Sequence, residues 1–225
     1  MAGQDIRIDK SGFNAALERM ISQSKRSAQD VVYEQAKGVI SNVLKVTPPA
    51  KSTKESLGAA RKIGKARVAS DILKVLQGVP VKAAEVDSID GIKSAHRVER
   101  SGGQVKGSRT KIKVPKTMLN AYIKTQQLKV GRLAAGWNAA AARFGVNVPS
   151  WISAHSTSSA VKIIATSTRF GMKATNKSPY AGKISNLESK ISHAIYVQAA
   201  AMRKRIASAT AANARRAGFK AGKSL

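Results

Sequence analysis

Residues 131–155 read GRLAAGWNAAAARFGVNVPSWISAH and hold both tryptophans, Trp137 and Trp151, of a chain with only 4% aromatic residues. Two roles compete for these rings, a stacking platform for nucleic-acid bases beside a basic groove or a packing joint. The spacing favours packing. Leu119, Tyr122, Ile123, Val130, Leu133, Trp137, Ala141 and Phe144 recur at helical intervals, which predicts a helix from Pro115 to a left-handed cap at Gly145. Pro149, Ser150, Trp151 and Ile152 then fold back over its end. The small residues Ala134, Ala135, Gly136 and Ala139 to Ala142 let another helix approach the ring, so Trp137, Trp151 and Phe144 are expected in the core.

Upstream, Phe13, Leu17, Met20, Ala28, Val31, Val32, Val39 and Val43 form an apolar stripe. They predict one long helix that Thr47, Pro48 and Pro49 stop. Ser52 to Glu55 has capping-box spacing and introduces a second helix with Leu57, Ala60, Val68, Ile72, Val75 and Leu76 inward and Gly78 at its end. From 79 to 114 the period fades, and RSGGQVKGSRTKIK reads as a basic loop or extended arm, the least ordered part of the free protein. Downstream, β-branched residues around Arg169, Phe170 and Gly171 suggest an antiparallel hairpin. A second capping box at Ser185 to Glu188 opens a fourth helix through Ile191, Ile195, Ala199, Met202, Ile206 and Ala209, ending near Gly218. The expected fold is mainly α, in the α+β class, with four principal helices, a small antiparallel β-hairpin and the arm. Residues 1–225 are expected to form a single domain. Apolar residues make up 43% of the chain, so with few aromatics Ala, Val, Ile and Leu must fill most of the interior.

Charge is the strongest compositional signal. Forty Lys and Arg face twelve Asp and Glu, a formal net charge of +28. Residues 1–99 hold 17 basic and 11 acidic side chains, whereas residues 100–225 hold 23 basic and one acidic, Glu188. Internal ion pairs cannot neutralise such a surplus, and an acidic protein surface, anionic lipid or nucleic acid is the expected neighbour. Arg100, Lys106, Arg109, Lys111 and Lys113 in the arm and Arg203, Lys204, Arg205, Arg215 and Arg216 on the last helix are the candidate contacts to DNA or a protein partner. No zinc finger, RNP aromatics or short helix-turn-helix accompanies them, so contact with DNA would run through its phosphates without reading sequence.

Other chemistry finds little footing. The chain has no cysteine, which removes disulfides, thiolate metal sites and a cysteine nucleophile. His96, His155 and His193 lack metal-ligand spacing, and a paired-carboxylate site has no material in the second half. Gly102 and Gly107 have P-loop spacing, but Ser108 and Arg109 stand where Lys and Ser/Thr belong. Asn176-Lys177-Ser178 matches a glycosylation sequon and reads as a turn before Pro179. No enzyme activity, cofactor or metal is expected. The polar start and the lack of any run of about eighteen apolar residues argue against a signal peptide or membrane span, so synthesis in the cytoplasm and no membrane partner are expected.

GWNAAAARFGVNVPSWISAH at 136–155, TPPAK at 47–51, ARKIGKARVASDILKVL at 60–76 and ATNKSPYAGKI at 174–184 together resemble a family of tailed-phage virion morphogenesis proteins of the neck or tail-completion (head-tail joining) type, over roughly residues 13–210. The resemblance implies a non-enzymatic virion protein in the phage neck or tail, a head-tail connector or tail-completion subunit. It would form a homo-oligomeric ring beside portal, connector or tail proteins, with nonspecific contact to the DNA passing through. The alternative is a sequence-nonspecific nucleic-acid-binding protein.

Overall fold

The computed structural model describes residues 11–23, 28–50, 54, 56–101, 111–157, 159–165, 170–179, 181–184 and 186–216. The chain is mainly helical with two short pairs of strands, α+β as expected, but its helices do not reduce to four. It also divides into two compact units where a single domain was expected. One comprises residues 1–55 and 132–225, and the other the intervening residues 56–131.

The first unit begins with α1 (Ser11–Gln23) and α2 (Ala28–Val46), which occupy the span expected to be one long helix. Thr47, Pro48 and Pro49 follow α2 and end it as anticipated. Three short helices, α6 (Arg132–Ala135), α7 (Asn138–Arg143) and α8 (Ser150–Ser153), precede a hairpin of β3 (Ser159–Ala165) and β4 (Phe170–Asn176). The hairpin is antiparallel, with Ala165 opposite Phe170, as expected. The last helix, α9 (Leu187–Arg216), has 30 residues and is about 45 Å long at the α-helical rise. It packs on α1 and α2. Ala16, Leu17, Val31, Ala199 and Met202 form one apolar cluster there, with Phe13, Met20, Ile21 and Val32 around it. Ser185 and Gly218, expected to bound this helix, lie outside the described residues. Asn186 immediately before it has φ 63.

Polar groups thread the packing of α2 on α9. The Gln198 carboxamide donates to Gln35 Oε1 at 2.7 Å and accepts from Asn42 Nδ2 at 3.3 Å. Gln35 is only 1% exposed, and Gly38 leaves the space that Gln198 fills. The bond from Gln198 satisfies Gln35 Oε1, whereas the buried Nε2 of Gln35 has no hydrogen-bond partner among the described residues, and the two bonds of Gln198 tie α9 to α2.

The second unit is built from α3 (Leu57–Val75), β1 (Leu76–Val79), α4 (Ile89–Ser101), β2 (Ile112–Pro115) and α5 (Lys116–Gln127). Ser56, rather than the expected Ser52, caps α3: its Oγ accepts from Ala59 N–H at 3.1 Å, which satisfies one of the open donors of the first turn. Ser52 lies outside the described residues. At its other end α3 passes directly into β1, so Gly78 sits in a strand rather than closing the helix. β1 and β2 are parallel, pairing Leu76 with Ile112 and Val79 with Pro115. Ile72, Val75, Leu76, Ile92, Val114, Leu119 and Tyr122 form the core. The span 79–114, expected to be a loop or arm, is largely ordered into a 3-10 turn at Val81–Ala83, α4 and β2. Ser88 Oγ accepts from Gly91 N–H at 3.1 Å and starts α4, while residues 102–110 lie outside the described residues.

The helix expected from Pro115 to Gly145 is three helices. Gly131 has φ 107, a conformation that ends a helix and that L side chains resist. The break coincides with the boundary between units, so Leu119 and Tyr122 serve one core while Trp137 and Phe144 are buried in the other unit.

Candidate nucleic-acid or partner interface

The residues of the opening stretch form a packing joint. Trp137 is 7% exposed and Phe144 2%. Trp137 Nε1 donates to Thr47 Oγ1 at 3.1 Å, and Thr47 Oγ1 donates in turn to Val43 O at 2.7 Å. The indole thus docks where Pro48 and Pro49 stop α2, with its polar edge satisfied. Phe144 meets Tyr33 at a ring-centroid distance of 5.3 Å, and Tyr33 Oη donates to Arg143 O at 3.0 Å. Gly145 has φ 61. Val146 N–H donates to Ala141 O at 2.9 Å and Gly145 N–H to Ala142 O at 3.3 Å, the paired bonds of a Schellman ending. Trp151, expected in the core with Trp137 and Phe144, is only half-buried, and its Nε1 has no hydrogen-bond partner among the described residues.

Asn176, the first residue of the sequon, is also structural. Its Nδ2 donates to Leu133 O at 2.9 Å and its Oδ1 accepts from Ser178 N–H at 2.9 Å. The carboxamide lies directly against Gly136, where no side chain would fit.

The candidate contact residues divide between the two units. Arg100, Lys106, Arg109, Lys111 and Lys113 belong to the second unit, and Arg203, Lys204, Arg205, Arg215 and Arg216 to the first. Lys111 and Lys113 are exposed at β2, where Lys113 O accepts from Glu85 N–H at 2.8 Å. The backbone of Arg100 lies in α4, whereas its side chain, like Lys106 and Arg109, lies outside the described residues. On α9, Arg203, Lys204 and Arg205 are exposed, and from Arg203 through Ala212 only Ile206 is half-buried. Arg215 and Arg216 continue the same helix, their side chains again outside the description. Arg205 Nη1 reaches Glu34 Oε1 at 2.8 Å, so part of its charge serves to tie α9 to α2. The Arg203 guanidinium carbon lies 5.9 Å from the ring centre of Tyr196, itself 63% exposed. An exposed aromatic beside cations therefore exists, but it is Tyr196 on α9 rather than either tryptophan.

Basic charge is spread over both units. The first holds 24 basic and 7 acidic residues and the second 16 and 5. A local exception is Asp90 in the first turn of α4. Lys93 Nζ donates to it at 2.8 Å, and this hydrogen bond with the ammonium's charge holds the carboxyl below its ordinary range.

One cleft was missed by sequence reasoning. It has a volume of about 550 Å³ and lies wholly in the second unit, between α3, α4 and the turn after α5. Arg67, Asp71 and Lys74 line it from α3, His96 from α4 and Lys129 from the turn after α5. His96 Nδ1 is 2.9 Å from Tyr122 Oη, and His96 Nε2 is 4.0 Å from Asp71 Oδ2. The only signal in the sequence is Arg67, Ser70, Asp71 and Lys74 at positions i, i+3, i+4 and i+7 of one helical face, a pattern shared with any solvated helix. Among the described residues no group of three or more His, Cys, Asp or Glu side chains could hold a metal ion, and no helix is long and apolar enough to cross a membrane. No family model, curated protein or solved structure matches the chain.

Proposed function

We propose that this chain is a non-enzymatic structural protein of a tailed-phage particle, a subunit of a homo-oligomeric ring in the neck, as head-tail connector or tail-completion protein, between portal and tail. The location rests on the resemblance carried by residues 136–155 and the three segments that accompany them. The physical observation that carries the role is the surplus of basic over acidic residues on both units, with Arg203 and Lys204 exposed on α9 and Lys111 and Lys113 exposed at β2. A surface of this kind is completed by a polyanionic or acidic neighbour, and the neck of a particle offers both DNA and other proteins. Like charges repeated around a ring oppose its closure in free solution. The isolated protein is therefore monomeric or a small oligomer, and the ring closes on its partner.

Mass spectrometry and negative-stain microscopy of purified particles test the reading. Stoichiometric incorporation at the head-tail junction is expected, and tailed particles without a copy of the chain would overturn it.

A second reading, sequence-nonspecific binding of nucleic acid outside any particle, is favoured by Arg203 over exposed Tyr196 with Lys204 beside it. That arrangement offers a stacking surface and phosphate contacts together.

A further inference from the structure

The cleft of the second unit shares no residue with the candidate contacts of α9 or of the 100–113 segment, and neither reading above uses it. We propose that it is a nucleotide site, taking a phosphate group between Arg67, Lys74 and Lys129 and the sugar or base of the same nucleotide against Asp71 and the apolar wall.

Three observations carry this. First, three cations from two segments line the one cleft, Arg67 and Lys74 from α3 and Lys129 from the turn after α5, and Lys129 Nζ donates to Gln126 Oε1 at 2.8 Å with two further ammonium donors left for a phosphate. Charge-assisted bonds of this kind are stronger than neutral ones, and a guanidinium can present two donors to one phosphate. Second, the cleft is not uniformly cationic. Asp71, 41% exposed at its side chain, stands among the cations, where a carboxylate opposes a simple polyanion. A carboxylate has lone pairs for several donors, and sugar hydroxyls and exocyclic amines are donors. A ligand carrying a phosphate together with such donors satisfies both halves, whereas inorganic phosphate satisfies one. Third, the half-buried Val68 and Val130 supply an apolar lining, with the core residue Ile72 beneath it, against which the face of a base can lie. The volume of about 550 Å³ falls in the range of small-molecule sites, roughly 300–1,000 Å³.

The same chemistry is offered by a free nucleotide and by one residue of a nucleic-acid strand, and the experiment separates them. The full chain is titrated calorimetrically with adenosine 5′-monophosphate, with inorganic phosphate and with a short oligodeoxythymidylate. Three variants are compared with it: Arg67→Ala/Lys129→Ala, Asp71→Asn, and as a control for overall charge Lys162→Ala/Lys173→Ala, an exposed cross-strand pair on the hairpin. All the substituted side chains are at least partly exposed, and circular dichroism melts confirm that each variant is folded.

Adenosine 5′-monophosphate is expected to bind more tightly than phosphate and to lose about tenfold or more in affinity in the cleft double variant, with little loss in the hairpin control. Asp71→Asn should narrow the preference for the nucleotide over phosphate. If the oligonucleotide also weakens in the cleft variant beyond its loss in the control, a strand is a source of the ligand; if it does not, the site takes free nucleotide. The proposal is overturned if the nucleotide does not bind, if phosphate binds as tightly, or if both double variants weaken binding by the same factor.

Discussion

Replacing Thr47 with Val should cost more than its loss of one hydroxyl suggests, because the damage falls on Trp137. The indole Nε1–H, buried with the rest of the ring, has Thr47 Oγ1 as its acceptor at 3.1 Å. The hydroxyl proton is committed to Val43 O at 2.7 Å, which leaves a lone pair for the indole. Val keeps the shape and removes that lone pair, and a buried donor left without a partner costs about 1–3 kcal/mol. Thr47→Ser retains the acceptor and should cost well under half as much. Truncating the ring itself is a different matter. A tryptophan buries about 150–250 Å², or about 4–6 kcal/mol at 25 cal/mol per Å². That figure is an upper bound because the unfolded chain already buries part of the ring, so Trp137→Ala should cost about 3–5 kcal/mol. Urea titrations of Thr47→Val, Trp137→Phe and the double variant complete the cycle. In the Trp137→Phe background no indole donor remains to be orphaned, and the cost of Thr47→Val should fall by about 1 kcal/mol. Equal costs in both backgrounds would refute the hydrogen-bond account. Unchanged stability in Trp137→Ala together with lost DNA affinity would refute the packing role.

Gly136→Ala should destabilise by about 2 kcal/mol or more, since its methyl group would collide with the Asn176 carboxamide. Adding Asn176→Ala should recover part of that loss in thermal melts, and no recovery would place the conflict elsewhere. Gly145→Ala should cost about 1–2 kcal/mol, because φ 61 is a left-handed conformation, and a neutral result by chemical denaturation would contradict the Schellman ending. Ser56→Ala should cost about 1 kcal/mol through loss of the α3 cap, and Ser52→Ala much less; the reverse order would restore the Ser52 capping box. Duplex DNA should bind without sequence preference and weaken about a thousandfold or more between about 50 and 200 mM salt if six to ten phosphates are contacted. Anisotropy titrations showing a preferred sequence at high salt would defeat the phosphate-only account.

The parts legible in sequence are those whose signals are local. Pro48 and Pro49 cannot continue α2, Gly145 provides the left-handed residue after α7, and β-branched residues flank the β3–β4 turn. The divided middle was illegible for an equally physical reason. Val130, Leu133 and Trp137 keep helical spacing straight through Gly131, and a burial period records that residues are inside without recording inside what. Leu119 and Tyr122 belong to one core and Trp137 and Phe144 lie in the other unit, so a continuous pattern concealed a change of unit. β1 and β2 have four residues each, too few to show a period. Their parallel pairing also joins segments far apart in the chain. α4 carries Gly91, a poor helix former, in its first turn, and what secures it is the Ser88 cap and the burial of Ile92.

The candidate sites follow the same division between local and assembled signals. A run such as Arg203, Lys204 and Arg205 is visible at once, yet packing gives its members different tasks: Arg205 ties α9 to Glu34, Arg203 lies over Tyr196, and Lys204 faces solvent. The cleft is the converse. Arg67 and Lys74 are unremarked members of a charged helical face until α4 brings His96, and the turn after α5 brings Lys129, to the same space. Charge counted along the chain contrasts residues 1–99 with 100–225, but the fold puts a large positive excess on both units. An acidic partner or nucleic acid therefore has more than one basic surface to meet, and removing the α9 cations alone should leave the second unit's share of that attraction intact.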